Sequence, residues 1–263
     1  MSVERRGPAQ VKLAGFNNLT KCLSFNLYDF CIARNDEQRR AYAQDISKRY
    51  CAEKMGEISK GICEIIEAEM LEISLADYLP YGASTLVLMS DLAGGEPPDH
   101  RKSASVHAHL DKSHICAHTY PDTAGPSGVC SFRVDIDIAT CGEITPMKAL
   151  NYMFSSFEAD VVIMDYVVRG YTRDTEGRKV YNDQPFSSIR DFIAPETLKG
   201  YVLREDLNIP QANIWQTKLL RADRDPAEYF LDAADYEPGA GHVEPLLESL
   251  HREMREIYYM HRV

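Results

Sequence analysis

The stretch Ser127–Gly142, SGVCSFRVDIDIATCG, decides the fold. Within it Phe132, Val134, Ile136 and Ile138 alternate with Arg133, Asp135 and Asp137. Successive side chains of a strand point to opposite faces, so this is a strand with one apolar and one polar side. Continued to its end, the alternation puts Cys141 on the polar side, and Gly142 stops it. Such one-sided strands belong to antiparallel sheets that pack one face on a core.

Working outward, Ser24–Ala33 (SFNLYDFCIA) and Gly82–Ser90 (GASTLVLMS) also read as strands, as do DVVIMDYVVRGYTRD at 160–174 and NIWQTKLL at 213–220. Helical composition fills Glu37–Ile73 as one or two amphipathic helices, with Ile46, Tyr50, Met55, Ile58, Ile62, Ile65 and Ile66 on the apolar side. Thr145 and Pro146 open a further helix to about Phe157 as N-cap and first residue. Ser187–Tyr201 and Pro245–Met260 read as helices, and the acidic, Pro- and Gly-containing stretch 222–242 receives no element. Asp91–Ser103 (DLAGGEPPDHRKS) is a loop inside the domain. The central strands are joined by short turns, so antiparallel pairing needs no crossover helix. The expected fold is α+β: one domain over 1–263, a two-layer α/β sandwich with a mainly antiparallel sheet covered by helices on one face.

A chain of 263 residues with 44% hydrophobic and 26% charged content can bury a substantial core. Its formal net charge of -11 disfavours nucleic acid and is compatible with a small cationic ligand. No apolar run reaches the length of a membrane span, and the first residues, MSVERRGPAQVKL, lack a signal-type apolar core, so a cytoplasmic protein with no membrane partner is expected. The seven cysteines, Cys22, Cys31, Cys51, Cys63, Cys116, Cys130 and Cys141, are odd in number and irregularly spaced, so most are expected as small buried hydrophobes.

His109–Pro121, HLDKSHICAHTYP, gathers three of the eight histidines around a Lys-Ser bond. The first reading is a metal site. His114, Cys116 and His118 share one strand face, His107 and His109 another, and two strands paired around Asp111–Lys112 would let them converge on zinc; the spacing matches no common zinc motif. The second is a strand that carries hydrogen-bonded histidines. The third is nucleophilic: Ser113 needs a base within reach, His114 or His118, and the Gly-x-Ser-x-Gly turn of serine hydrolases is absent.

These blocks resemble the S-adenosylmethionine decarboxylase proenzymes in their longer bacterial form. The resemblance rests on GFNNLTKCLSFNLYDFCIA, HLDKSHICAHTYPD, FRVDIDIATCGEITPMKALNY, DYVVRGYTRD and EMREIYY, spread over most of the chain. It implies self-cleavage at Lys112–Ser113 into a β chain, 1–112, and an α chain, 113–263. Ser113 would become a pyruvoyl cofactor that forms a Schiff base with S-adenosylmethionine, His118 the proton acceptor in processing, and Cys141 the proton donor in catalysis. It also implies a magnesium-activated oligomer of α and β chains that supplies the aminopropyl donor for spermidine. Two features bear on it. Ser113 and His118 are five positions apart and face opposite ways on an ideal strand, so direct service requires a bend. Asp122 stands where many relatives carry Glu. An aromatic such as Tyr120 or Phe132 would meet the adenine or the sulfonium. Ser113, His118 and Cys141 perform generic pyruvoyl chemistry, which leaves ornithine or arginine open as substrates. A zinc hydrolase built on His109, His114, Cys116 and His118, or an inactive scaffold, stands beside them.

Overall fold

The computed structural model describes residues 13–91, 113–125, 128–221 and 223–262. Eight strands form one sheet, antiparallel throughout. In chain order they are β2 (Thr20–Ile32), β3 (Ala68–Asp77), β4 (Ala83–Asp91), β5 (Ser113–Asp122), β6 (Val129–Cys141), β7 (Val161–Arg169), β10 (Tyr201–Ile209) and β11 (Ile214–Arg221). Their spatial order is β10-β11-β7-β2-β6-β5-β4-β3. A second, three-stranded sheet joins β1 (Leu13–Asn17), β8 (Thr172–Asp174) and β9 (Lys179–Val180).

The alternation read in the sequence sets the layers. Leu23, Phe25 and Leu27 of β2 join Phe132, Val134, Ile136 and Ile138 of β6 in one buried cluster. Helices α1 (Asp36–Arg49) and α2 (Ala52–Ile65) pack there through Tyr42, Ile46, Met55, Ile58 and Ile62, and α3 (Leu150–Ser156) through Leu150 and Met153. At the start of α1 the Asn35 side chain accepts from the Gln38 amide, with acids in the first turn and Lys48 and Arg49 in the last, which suits the helix dipole. At the start of α2 the cap is distant: Asp77 Oδ1 accepts from the Ala52 N–H at 2.7 Å.

Several expectations are corrected. The helical reading of 37–73 runs too far, because 68–77 forms β3. The reading of 187–201 as one helix gives way to a 3-10 turn at Ile189–Phe192 and a short helix α4 (Pro195–Lys199), followed by the unforeseen β10. Thr145 precedes the helical segment without a side-chain cap bond, and Pro146–Ala149 is a 3-10 turn. Helices are not confined to one face. The last helix, α5 (Val243–Tyr259), lays Val243, Leu247, Leu250, Met254 and Tyr258 on Phe30, Ile32, Val161 and Ile163, which alternate with the helix-covered residues and so belong to the opposite face of the sheet. Its helical spacing makes the stripe continuous. The remainder of that second face, here called the outer face, carries half-buried polar side chains. Among the described residues no helix is long and apolar enough to cross a membrane.

The stretch 223–242 is a strap between β11 and α5. Arg224 Nη1 reaches Asp29 at 2.9 Å and Asp160 at 3.3 Å, and Tyr229 Oη donates to Asp160 at 3.2 Å. One guanidinium therefore serves two buried carboxylates. Burial first, and Asp160 second, push Asp29 up to about 7, with Arg224 opposing. A carboxyl with a raised folded pKa holds a proton that the unfolded chain has already lost, so its stabilising protonation is fully present below the ordinary value and is lost as pH rises from about 4 to about 7. Arg224→Met is expected to cost about 3–5 kcal/mol in denaturant unfolding, because it strands both carboxylates. Asp29→Asn is expected to flatten the fall in stability between those pH values.

Candidate active site

Ser113 is the first described residue of β5, and Lys112, His107 and His109 lie outside the described residues. Ser113 is 5% exposed and faces the helix side with Ile115 and Ala117. Its Oγ accepts a hydrogen bond from the backbone N–H of Cys141 at 3.0 Å. The polarity is informative: a fixed N–H donor at Oγ favours negative charge there. Cys141 ends β6 before Gly142, whose φ of 74° turns the chain. Its side chain lies half-buried on the outer face, as the alternation implied, with Sγ 3.9 Å from Thr20 Oγ1.

His118 is placed elsewhere. Strand β5 pairs with β4 from Met89↔Ser113 to Ala83↔Thr119, and with β6 from His114↔Ala139 to Asp122↔Ser131, with no shift in register. The bend that direct service of Ser113 requires is therefore missing. His118 stands on the outer face, with His114 and Cys116, and five residues of strand put it roughly 16 Å from Ser113. Its surroundings are well defined. Tyr78 Oη lies 3.2 Å from Nδ1, the Tyr120 ring stacks at 6.1 Å, and Asp135 is its direct partner across the ladder. Among the described residues, no group of three His, Cys, Asp or Glu side chains is placed to hold a metal ion.

The register maps the outer face beside Cys141. Across β6–β2–β7, Ala139 faces Cys22 and Cys22 faces Val167; one row on, Asp137 faces Ser24 and Ser24 faces Asp165. Small side chains thus form the floor of a groove of about 230 Å³, walled by His114, Asp137, Asp165 and Arg169. Cys22 opens onto it rather than into the core. Burial pushes the Cys22 thiol up, Arg169 opposes, and Cys141 and Asp137 add to the rise, so these groups share one electrostatic neighbourhood. Asp165 accepts from Gln216 Nε2 at 2.6 Å. Sequence reading missed Asp165, Arg169 and Cys22 as a group. The alternation of DYVVRG places Asp165, Val167 and Arg169 on one face, but nothing local says that β7 lies beside β2.

The other expectations resolve individually. Phe132 is a core residue stacked on Tyr50 at 5.0 Å and cannot meet a ligand, whereas Tyr120 is exposed. Asp122 Oδ1 accepts from the Ala124 N–H and shapes the β5–β6 turn. All seven cysteines are free; Cys31, Cys63 and Cys130 are buried, and Cys22, Cys51, Cys116 and Cys141 are intermediate.

Comparison with known proteins adds a separate line of observation. The S-adenosylmethionine decarboxylase family model matches residues 44–170. Over 256 residues, covering 95% of this chain and 97% of the relative, the sequence is 42% identical to the S-adenosylmethionine decarboxylase proenzyme of Chromohalobacter salexigens. It is 43% identical over 258 residues, 95% of this chain and 97% of the relative, to the proenzyme of the same name from Yersinia pseudotuberculosis serotype O:1b. The crystal structure of the adenosylmethionine decarboxylase from Aquifex aeolicus vf5 aligns with 67% of this chain and 99% of its own, at 15% identity and a TM-score of 0.34, a likeness too loose to inform the fold.

Proposed function

This chain belongs to the S-adenosylmethionine decarboxylase proenzymes, and from that premise we propose that Ser113 cuts its own bond to Lys112 and becomes the pyruvoyl group on which S-adenosylmethionine is decarboxylated. The observation that carries the reading is the 3.0 Å hydrogen bond from the Cys141 N–H to Ser113 Oγ. It joins two residues 28 positions apart, each implied by the family pattern, at one strand end.

The processing chemistry uses the chain's own groups. Ser113 Oγ adds to the Lys112 carbonyl carbon, the C–N bond breaks, and the amide becomes an ester with a free amine on residue 113. A base takes the Cα proton of residue 113. The Cβ–Oγ bond then breaks, and Lys112 leaves as a carboxylate that keeps Oγ. The dehydroalanine left behind rearranges to an imine, and water releases ammonia to give the ketone. Negative charge rests on Oγ as its proton leaves before attack and again as the Cβ–Oγ bond breaks in elimination, where the Cys141 N–H is poised to stabilise it. A small, buried residue at a strand start fits conversion to a group no larger than serine. The pyruvoyl carbonyl supplies the electron sink that decarboxylation of an amino acid needs.

The rest follows from the outer face. The outer-face groove floored by Cys22, Ser24 and Ala139 carries Asp137 and Asp165, suited to a substrate with a permanent sulfonium charge, and the Cys141 thiol, which shares that face and the electrostatic neighbourhood of Cys22, is the proton donor to the carbon that loses carbon dioxide. His118 is the processing base, but it reaches the residue 113 of a second copy. Facing the outer sides of two sheets about a two-fold axis that runs between them, level with the midpoint of β5 between residues 113 and 118, sets His118 of each chain over the backbone of residue 113 of the other, where the Cα proton and not the inward-facing Oγ is its target. This reading carries with it an oligomer of α and β chains. The two products stay together after the cut, because β2, from 1–112, is zipped between β6 and β7, from 113–263. The buried Lys21–Asp183 pair, at 2.7 Å, crosses the same divide. Activation by magnesium is retained on the resemblance alone, and no residue is assigned to it.

The test is release of carbon dioxide from S-adenosylmethionine, ornithine and arginine by the processed protein. Turnover of S-adenosylmethionine alone is expected. Cys141→Ser is expected to leave cleavage intact by mass and to lower kcat roughly 10²- to 10⁴-fold. Turnover of ornithine or arginine instead would redirect the substrate assignment.

A further inference from the structure

The neighbourhood of His118 carries an inference that rests on its role as the processing base. A histidine acts as a base only through a nitrogen that carries a lone pair. A neutral imidazole has one such nitrogen and one N–H, and the partner of one nitrogen decides the state of the other. Here Nδ1 is engaged by the Tyr78 hydroxyl at 3.2 Å. Tyr78 sits in the turn between β3 and β4, fastened by its own N–H to the Gly82 carbonyl at 2.8 Å, so the hydroxyl is presented from a fixed element. The ring is further held by Tyr120, parallel to it within 18°, and Asp135 is its ladder partner on β6. The Arg133 guanidinium is paired with Asp135 at 2.7 Å and lies 5.6 Å from the Tyr120 ring centroid. Ser84 is the ladder partner on β4. Among the described residues, Asp137 lies two positions further along β6 on the same face, within electrostatic range of Asp135.

A hydroxyl can donate or accept. If Tyr78 donated to Nδ1, the neutral ring would carry its proton on Nε2 and could take none from Cα. If Tyr78 accepts from Nδ1–H, Nε2 holds the lone pair, and it is the nitrogen left unengaged by that contact. We propose that Tyr78 is a positioning residue for self-processing: its oxygen accepts the Nδ1 proton of His118, selects the tautomer with Nε2 as base, and fixes the ring on the outer face. Tyr78 precedes the cut and His118 follows it, so the contact also ties the two products together at the step that separates them. The residue acts on β-elimination and not on the preceding acyl shift, because the shift passes the Oγ proton to the departing nitrogen of residue 113 with none lost, whereas elimination needs a base at Cα.

That division makes the test specific. Freshly translated full-length chain is followed by mass in a time course, with and without hydroxylamine, which cleaves the ester into a Lys112 hydroxamate and a serine-started chain. The variants are Tyr78→Phe and His118→Ala, with melting temperature as the control on folding. Tyr78→Phe is expected to form the ester normally, to accumulate it as hydroxylamine-sensitive material, and to form the pyruvoyl chain roughly 3- to 10-fold more slowly, the worth of one hydrogen bond. The acid limb of its processing-rate profile is expected to move, with the melting temperature unchanged. His118→Ala is expected to stall at the ester. A Tyr78→Phe chain that processes at the wild-type rate with the wild-type pH profile, beside a stalled His118→Ala, overturns the role of Tyr78 and leaves the base assignment standing. A His118→Ala chain that processes normally overturns the base assignment, and the role of Tyr78 with it. Loss of the ester itself in Tyr78→Phe overturns the proposal in favour of a structural role.

Discussion

Purified wild-type protein is expected to give two masses under denaturing conditions, fragments that meet at 112/113, with the heavier lighter by one ammonia than a serine-started chain. Ser113→Ala is expected to give one uncut chain with decarboxylation below detection. The effect is all-or-none for a chemical reason. Alanine has no oxygen to add to the Lys112 carbonyl, so no ester forms, no elimination follows and no ketone appears. Loss of carbon dioxide without a sink would leave an unstabilised carbanion. Under native conditions the wild-type fragments are expected to co-elute. All thirteen residues of β2 remain paired with β6 and nine of them, Thr20–Tyr28, also with β7, both strands of the other product, and Arg224 remains bound to Asp29 across the cut. A single wild-type mass, identical in behaviour to the Ser113→Ala control, would sink self-processing. Two masses without the ammonia deficit would mean simple hydrolysis and no pyruvoyl group.

The second large effect concerns His118. Neither His118→Ala nor Ser113→Ala alone is expected to yield pyruvoyl. Co-expressed, with one copy tagged, they are expected to restore cleavage only in the His118→Ala chain. That chain keeps Ser113 and receives His118 from its Ser113→Ala partner, whereas the partner has no serine to convert. The reasoning is geometric. A regular β5 turns residues 113 and 118 to opposite faces and separates them by roughly 16 Å, beyond the reach of an imidazole. Random mixing places about half of the copies in mixed pairs, so the cleaved fraction is bounded by pairing statistics. Cleavage of His118→Ala in the absence of its complement would show that His118 is dispensable. Failure of the mixture, with both variants folded and paired, would return the base to the same chain and demand a rearranged β5.

How far the sequence went depended on where each strand sits. Strands β2, β4, β5, β6, β7 and β11, which lie inside the sheet, were legible as strands or strand-like alternation. Each must bury at least one face, so apolar residues recur at every second position. In the eight-stranded sheet the two strands misread as helix or overlooked, β3 and β10, are its two edges, and β1 and β9 of the small sheet were also overlooked. The side chains of β3 and β10 are largely exposed on both faces, as in VLRE of β10 and SLAD of β3. Edge strands carry charges that blunt pairing with other chains, and those charges erase the period-two signal. The last helix was legible from its apolar stripe, but the face it covers was not.

The sequence by itself determined the residue types and the local geometry: a serine and a histidine whose odd spacing turns them to opposite faces of a strand, and a cysteine at the end of a strand on its polar side. Alternation is a property of neighbouring residues, and it survives any arrangement of strands. Only the tertiary structure decided that Cys141 N–H meets Ser113 Oγ, that Cys22, Asp137, Asp165 and Arg169 border one groove, and that Tyr78 reaches His118. Those contacts depend on strand order and register. Both are settled by long-range pairing and by the burial of one face of β2 along its length together with Phe30 and Ile32 on the other, which no local pattern records.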